Sequence, residues 1–342
     1  MGSGLWQGDA RRMMRVDLAE GVQMSSGFLA ALLFAITVTL PYGLLLVAGW
    51  LLRRSGQIDA HFCAQASKIV FNYGLPVLLF MSLMEQTPEY GRQLTLLLAG
   101  LASTLVLFFG AELYVWKWVK EPLDKGVFVQ GVFRSNLGIA GLAFVDNAYG
   151  TQGVAVAAVY VGVVTIIYNV LAVITLSRSS EGSWLERLRD VAVRVVKNPL
   201  IIGIVLAMLL QAMHWEMPKV LMQTGKYISN LVLPLALICA GATFDVKSML
   251  RMSDVSLQAS IGRLIVAPLV AVAVGLAFGF AGVEMGVLFL MTTTPVAAAS
   301  YVMAKAMGGN DVAAANIMGI TTFGAIFSAA IGIVVLRGLG LM

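Results

Sequence analysis

Charge is what this sequence has least of. Asp, Glu, Lys and Arg make up only 12% of its 342 residues, against 59% hydrophobic ones, and the mean hydropathy is +0.87. Soluble globular domains carry roughly 25% charged residues, so a soluble fold is excluded. Ten membrane spans of about 20 residues need about 200 apolar positions. The composition supplies close to that number and leaves almost nothing for a domain outside the bilayer.

Histidine and cysteine are scarce too. His61 and His214 sit at span ends, and Cys63 and Cys239 lie in apolar runs without CxxC or Cys/His spacing. No metal centre, cofactor site or catalytic residue is expected from such a set, and both cysteines read as packing residues. Acidic residues are missing from the middle of every span: Glu85, Glu89, Glu112, Asp146, Asp245, Glu284 and Asp311 all fall near ends or in loops. An exchanger that moves protons through buried carboxylates needs at least one. That class is disfavoured, while cation sites built from carbonyls and hydroxyls stay open. The net charge of +5 reflects basic loops on one side of a membrane, so no nucleic-acid partner is expected.

What is present is a series of ten apolar runs, roughly 27–52, 62–84, 93–116, 126–148, 152–176, 199–215, 219–244, 255–280, 283–305 and 312–336. The first is too long for a signal-peptide core and is expected to stay. Lys and Arg gather in the odd-numbered loops, among them Arg53, Arg54, Lys117, Lys120, Arg187, Arg194, Lys247 and Arg251. By the positive-inside rule both termini face away from the cytoplasm, although Arg11, Arg12 and Arg15 oppose this. Residues 1–26 then form an extracytoplasmic tail, and 177–198 a cytoplasmic linker between the five-helix units 27–176 and 199–342. In the linker, Trp184, Leu185, Leu188, Val191, Ala192 and Val195 recur at helical spacing. A helix lying on the membrane surface fits that stripe.

The two units repeat one another at a constant offset of 158: Asn72 and Pro76 overlie Asn230 and Pro234, Pro41 overlies Pro199, and Gly150 overlies Gly308. Five spans per unit is an odd number, so the second copy is inverted in the membrane. Asn72 and Asn230, four residues before their prolines, are expected to satisfy kinked backbone at Pro76 and Pro234.

The same offset relates two polar interruptions. Arg134-Ser-Asn-Leu137 breaks the fourth span, and Thr292-Thr-Thr-Pro295 breaks the ninth. Unpaired backbone in lipid costs several kcal/mol per group, so helices break there only against protein or a wet cavity. Each break frees the positive amino end of a half-helix. Ser135 and Asn136 are expected to cap the half beginning at Leu137, and Thr293 and Thr294 the half beginning at Pro295. Two such ends facing each other make an anion site.

Arg134 can neutralise a substrate carboxylate, cap carbonyls freed by the break, or snorkel to the surface; for Arg263, some eight residues from the cytoplasmic end of the eighth span, snorkelling is expected. Tyr160, Tyr168, Asn169, Asn316, Thr321 and Thr322 follow the broken spans. They are candidates for a second layer around the site, with helix-to-helix hydrogen bonding as the commoner fate.

The segments Gly131-Val-Phe-Arg-Ser-Asn136 with Gly141, Asn198-Pro-Leu-Ile-Ile202 and Leu233-Pro-Leu-Ala-Leu-Ile-Cys-Ala-Gly-Ala242, with Pro295 and Val302-Met-Ala-Lys-Ala306, resemble the bacterial branch of the auxin efflux carrier family. That branch includes malonate and malate permeases. The resemblance implies an all-α polytopic protein of ten transmembrane helices in a 5+5 inverted repeat, with helices 4 and 9 broken and crossing. It implies a scaffold of helices 1, 2, 6 and 7, often dimeric, and a moving unit of helices 3–5 and 8–10. A carboxylate would bind at the crossover, carried by Arg134, Ser135, Asn136, Leu137, Thr293, Thr294 and Pro295, and cross by an elevator-like displacement in a bacterial inner membrane. The chain departs from plant members in its short central loop, and from a two-proline crossover in having Leu137 opposite Pro295. Its expected partners are thus a small carboxylate, the lipid bilayer and a second copy of itself. The rival reading is a membrane-embedded sensor that binds a carboxylate without moving it.

Overall fold

In a bilayer every backbone N–H and C=O must be satisfied within its own segment, which leaves helices as the natural answer to a sequence this apolar. A computed structural model describes residues 5–85, 90–176, 199–243 and 253–342, with side chains from residue 27 onward except at Tyr90 and Ala306. The linker at 177–198, with its expected surface helix, lies outside the described residues. The chain runs through α1 (Leu5–Arg54), α2 (Ala60–Ile69), α3 (Leu75–Met84), α4 (Tyr90–Trp118), α5 (Pro122–Phe133), α6 (Leu142–Leu176) and α7 (Pro199–Ala212). It continues with α8 (Lys219–Ala242), α9 (Asp254–Ile261), α10 (Ala267–Ala277), α11 (Val283–Thr292), α12 (Ala298–Ala306) and α13 (Asp311–Gly338).

Seven helical stretches among the described residues are long and apolar enough to cross a membrane: Gly27–Arg54, Ala60–Met84, Gly91–Trp118, Leu137–Leu176, Lys219–Ala242, Asp254–Ala277 and Asp311–Gly338. This is a polytopic, all-helical membrane protein. The number differs from ten for local reasons. Two expected spans contain the short apolar helices Pro199–Ala212 and Val283–Thr292. Two others run together through Leu137–Leu176, interrupted at Gly150, whose φ of 58° and ψ of −154° lie outside the helical region.

Three spans pass through a π turn, at Val70–Gly74, Leu137–Gly141 and Gly262–Val266. The first and third are followed by Pro76 and Pro268 at the start of the next helix, where a missing N–H does no harm. Asn72 lies in the first π turn, whereas Pro234 lies inside the continuous α8.

Helices α1, α2, α3, α7 and α8 pack on one another, as do α4, α5, α6 and α9 to α13; between the groups, α1 lies along α13 and α6, and α3 along α6. The α1–α8 crossing depends on two glycines. A Cβ at Gly49 would lie 1.9 Å from the Ile238 carbonyl oxygen, and one at Gly241 would lie 2.0 Å from that of Leu46. Membrane helices approach this closely only across small residues. Cys63 and Cys239, far apart in sequence, are both buried and meet in a small cluster with Ala66 and Ala242 where α2 crosses α8.

Candidate functional site

Two chain segments cross where α5 gives way to the Leu137 π turn and α11 to α12. They join as an antiparallel bridge between Ser135 and Val296. The Asn136 N–H donates to the Pro295 carbonyl at 2.9 Å, and the Ala297 N–H to the Arg134 carbonyl at 3.2 Å. The Asn136 N–H also reaches Thr294 Oγ1 at 3.0 Å, across a sequence separation of 158. The residues paired by the sequence repeat therefore touch one another. The Val296 N–H donates to Thr321 Oγ1 at 3.1 Å, so α13 holds the second strand in place.

The caps differ from the expectation. Thr293 Oγ1 donates back to the Phe289 carbonyl at 2.7 Å and Thr294 Oγ1 to that of Met291 at 3.2 Å, so both serve the helix they end. The outgoing half-helix begins at Ala298 instead of Pro295, and Ala297 offers it no side-chain cap. Bridging holds residues 295–297 extended, which delays the helix. On the other side Asn136 occupies the N-cap position before Leu137, yet its side chain makes no capping bond. Ser135 Oγ is buried without a hydrogen-bond partner among the described residues. Among the described residues, then, neither half-helix has a side-chain N-cap at its amino end. Each such end is worth roughly 0.3–1 kcal/mol toward an anion, and about 2 when partly buried.

Two guanidinium groups are buried beside the breaks. Arg134, 4% exposed, closes α5 and does not snorkel. Its Nη1 donates to Gln130 Oε1 at 3.1 Å and lies 2.9 Å from Met303 Sδ, and its Nη2 donates to Asn169 Oδ1 at 2.6 Å. Arg263 corrects the expectation of snorkelling: it is fully buried and turns inward from the π turn of the eighth span. Its Nη1 donates to the Val132 carbonyl at 2.9 Å and its Nη2 to the Thr292 carbonyl. Arg263 rather than Arg134 therefore caps the carbonyl ends left by the breaks. No described carboxylate pairs with either group. Burying a charge still costs several kcal/mol after relaxation, and here only neutral oxygens and a sulfur offset it.

Of the second-layer candidates, Asn169 holds Arg134 and Thr321 holds the second strand. Tyr160 and Tyr168 are buried in α6, with Tyr168 edge-on to Phe133 at 5.6 Å. Asn316 is buried on α13, and Thr322 bonds within that helix. Sequence reasoning missed Gln130, Met303 and Ser300. Gln130 had a signal, a polar residue four before Arg134 in an apolar run; Met303 lies in one of the family-like segments, but nothing there marks its sulfur as a partner of Arg134. Gln130, Gly131, Val296 and Ser300 line a cavity of about 10 Å³, about the size of one water, in which Gln130 Nε2 and Ser300 Oγ have no partner among the described residues.

The larger cavity, about 360 Å³, lies elsewhere, between α1, α3 and α8 on one side and α6 on the other. It contains none of the seven crossover residues but includes Asn230, Pro234, Asp146 and the Glu85–Lys226 ion pair of 3.1 Å. It runs beside the half-helix that Leu137 begins, along Ala143, Asp146 and Asn147.

The sequence pattern of the family described as "Membrane transport protein", which is the auxin efflux carrier family, matches residues 34–333. The chain belongs to it. A relative from Methanothermobacter thermautotrophicus, described as an uncharacterized transporter, is 24% identical over 269 residues, covering 76% of this chain and 84% of its own. Family and relative alike describe membrane transporters, and this chain is one.

Proposed function

We propose that this protein is a secondary carrier for small organic anions, mono- or dicarboxylates such as malonate or malate, or aromatic carboxylates akin to auxin. One observation carries the reading. Two half-helix amino ends without side-chain caps meet at a crossover beside which two guanidiniums are buried with no described carboxylate. An anion supplies what that arrangement lacks. Asn136, Ser135, Leu137 and the backbone before Ala298 would hold the carboxylate, with Arg134 adding charge.

The fold supports an elevator. Divided at Gly150 and joined across each break, the helices would make ten crossings in two inverted units, and the contact between Asn136 and Thr294 suits a pseudo-two-fold axis through the crossover. Helices α1, α2, α3, α7 and α8 would form the scaffold, dimeric in a plasma membrane with both termini outside. The 360 Å³ cavity at the boundary between the groups would serve as the outer entrance.

The test is uptake of radiolabelled malonate, malate and a monocarboxylate into proteoliposomes under imposed pH and sodium gradients. Asn136→Leu is expected to lower uptake at least about tenfold, the loss of roughly 1.4 kcal/mol of site interaction, with normal membrane insertion. Unaltered uptake in that variant sinks the site. Anions that raise thermal stability without being moved would favour a sensor.

A further inference from the structure

A helix that stops inside a membrane leaves its last four carbonyls without partners and a partial negative charge at its end. This protein does so twice at one place, where α5 and α11 arrive from opposite sides. Sequence reasoning sought the compensation in Arg134, the residue nearest the break. The geometry puts it on another span.

We propose that Arg263 is a positioning residue that clamps the carboxyl ends of both broken helices and so sets the spacing of the two amino ends that receive the anion. Its Nη1 and Nη2 reach carbonyls 160 residues apart, Val132 near the end of α5 and Thr292 at the end of α11. The fork of a guanidinium suits this task, since its two outer nitrogens diverge at a fixed angle. Span eight is shaped to deliver it. Gly262 packs on Val132, where a Cβ would lie 2.8 Å from Cγ2, and Ala259 packs on Gly131 at 3.2 Å by the same measure. This close seat brings the next side chain level with the Val132 carbonyl. An apolar residue would fill the space equally well, so simple packing does not account for a fully buried cation here. Each outer nitrogen gives one bond to the backbone, while Nε is buried without a partner among the described residues, so the comparison of mono- and dicarboxylates is what separates a clamp from a substrate contact.

The proposal rests on the carrier reading for its effect on transport, but its structural part is measurable without any substrate. Amide hydrogen exchange is followed by mass spectrometry in lipid nanodiscs for wild type, Arg263→Met, Arg263→Gln and Arg263→Lys. In the Met variant, residues 131–141 and 291–300 should exchange at least about tenfold faster, while α1, α3 and α8 keep wild-type rates. In proteoliposomes the same variant should raise KM at least about tenfold with Vmax within about threefold, equally for mono- and dicarboxylates. Lys, which keeps the charge and donors, should recover most of both losses. Gln keeps a donor without the charge, should fall between, and serves if Met fails to insert.

Unchanged exchange in both segments, or acceleration spread evenly over the protein, overturns the clamp. A KM rise confined to dicarboxylates overturns it in favour of direct substrate contact. If the wild type moves no anion at all, the carrier reading fails while the exchange measurement still decides the clamp.

Discussion

Arg134 shows how a single residue acquires its role from neighbours that no local pattern announces. Its guanidinium is fixed by Gln130 one turn back, by Asn169 on α6 and by Met303 on α12, all neutral, so its charge remains available. Arg134→Met should raise KM more for a dicarboxylate than for a monocarboxylate, by about tenfold or more, since one charge pairing of a few kcal/mol is lost. Asn169→Leu should reproduce part of this by freeing the guanidinium; equal KM shifts for both substrate valences would refute the charge role. At this scale the sequence was half legible. A charge beside Ser and Asn in an apolar run marks a site, and the polar residues named there do gather at the crossover. Their hydrogen bonds were not legible, because a threonine ending a helix finds a carbonyl three or four residues back closer than the next helix's N–H groups. Arg263 was misjudged for a related reason: its acceptors belong to spans four and nine, and only folding brings them within reach.

At the scale of elements, the breaks were legible because proline and consecutive hydroxyls have few other uses in mid-membrane. Where each half-helix starts was not, since the bridge between Ser135 and Val296 keeps residues 295–297 extended past the proline. The close approach of α1 to α8 was equally hidden, for glycines abound in this chain and few of them touch a facing backbone. Gly241→Leu would press a side chain onto the Leu46 carbonyl. Overpacking of this kind costs about 1–3 kcal/mol or more and should lower the melting temperature in detergent by about 5 °C. Gly56→Leu serves as the control for bulk alone, although its φ of 75° adds some strain of its own. If Gly241→Leu melts no lower than wild type, the two helices are not in backbone contact.

For the whole molecule, an elevator requires the group holding the crossover to slide past the other. A Cβ at Gly138 would lie 3.4 Å from Leu75 Cδ1, which places α3 directly against the crossover. With Cys63 and Cys239 replaced by Ala, Leu75→Cys and Gly138→Cys bridged by a short, cleavable thiol cross-linker should lose uptake and regain it when the bridge is cut. Because Gly138 borders the site, uptake by the unbridged protein is the reference; uptake that persists in the cross-linked protein, with the bridge verified by mass, would rule out the slide. The offset of 158 pairs prolines and asparagines without a gap, and two of the residues it pairs, Asn136 and Thr294, are hydrogen-bonded to each other. The extensive contact of α1 with α13 was not readable from that pairing, and it is the surface any sliding motion must shear.

The two guanidiniums, which have no described carboxylate partner, would also make the carrier an electrical device. If Arg134 and Arg263 travel with the crossover, the empty unit moves two positive charges, a monoanion reduces that to one, and a dianion cancels it. One charge crossing 100 mV is worth about 2.3 kcal/mol. One-for-one exchange of a dicarboxylate should therefore proceed at the same rate with or without a potassium diffusion potential. Net uptake of the same substrate, which includes the return of the empty unit, should respond to it steeply. Voltage would then select among substrates by valence, and the membrane potential would set how often the unloaded unit completes its return.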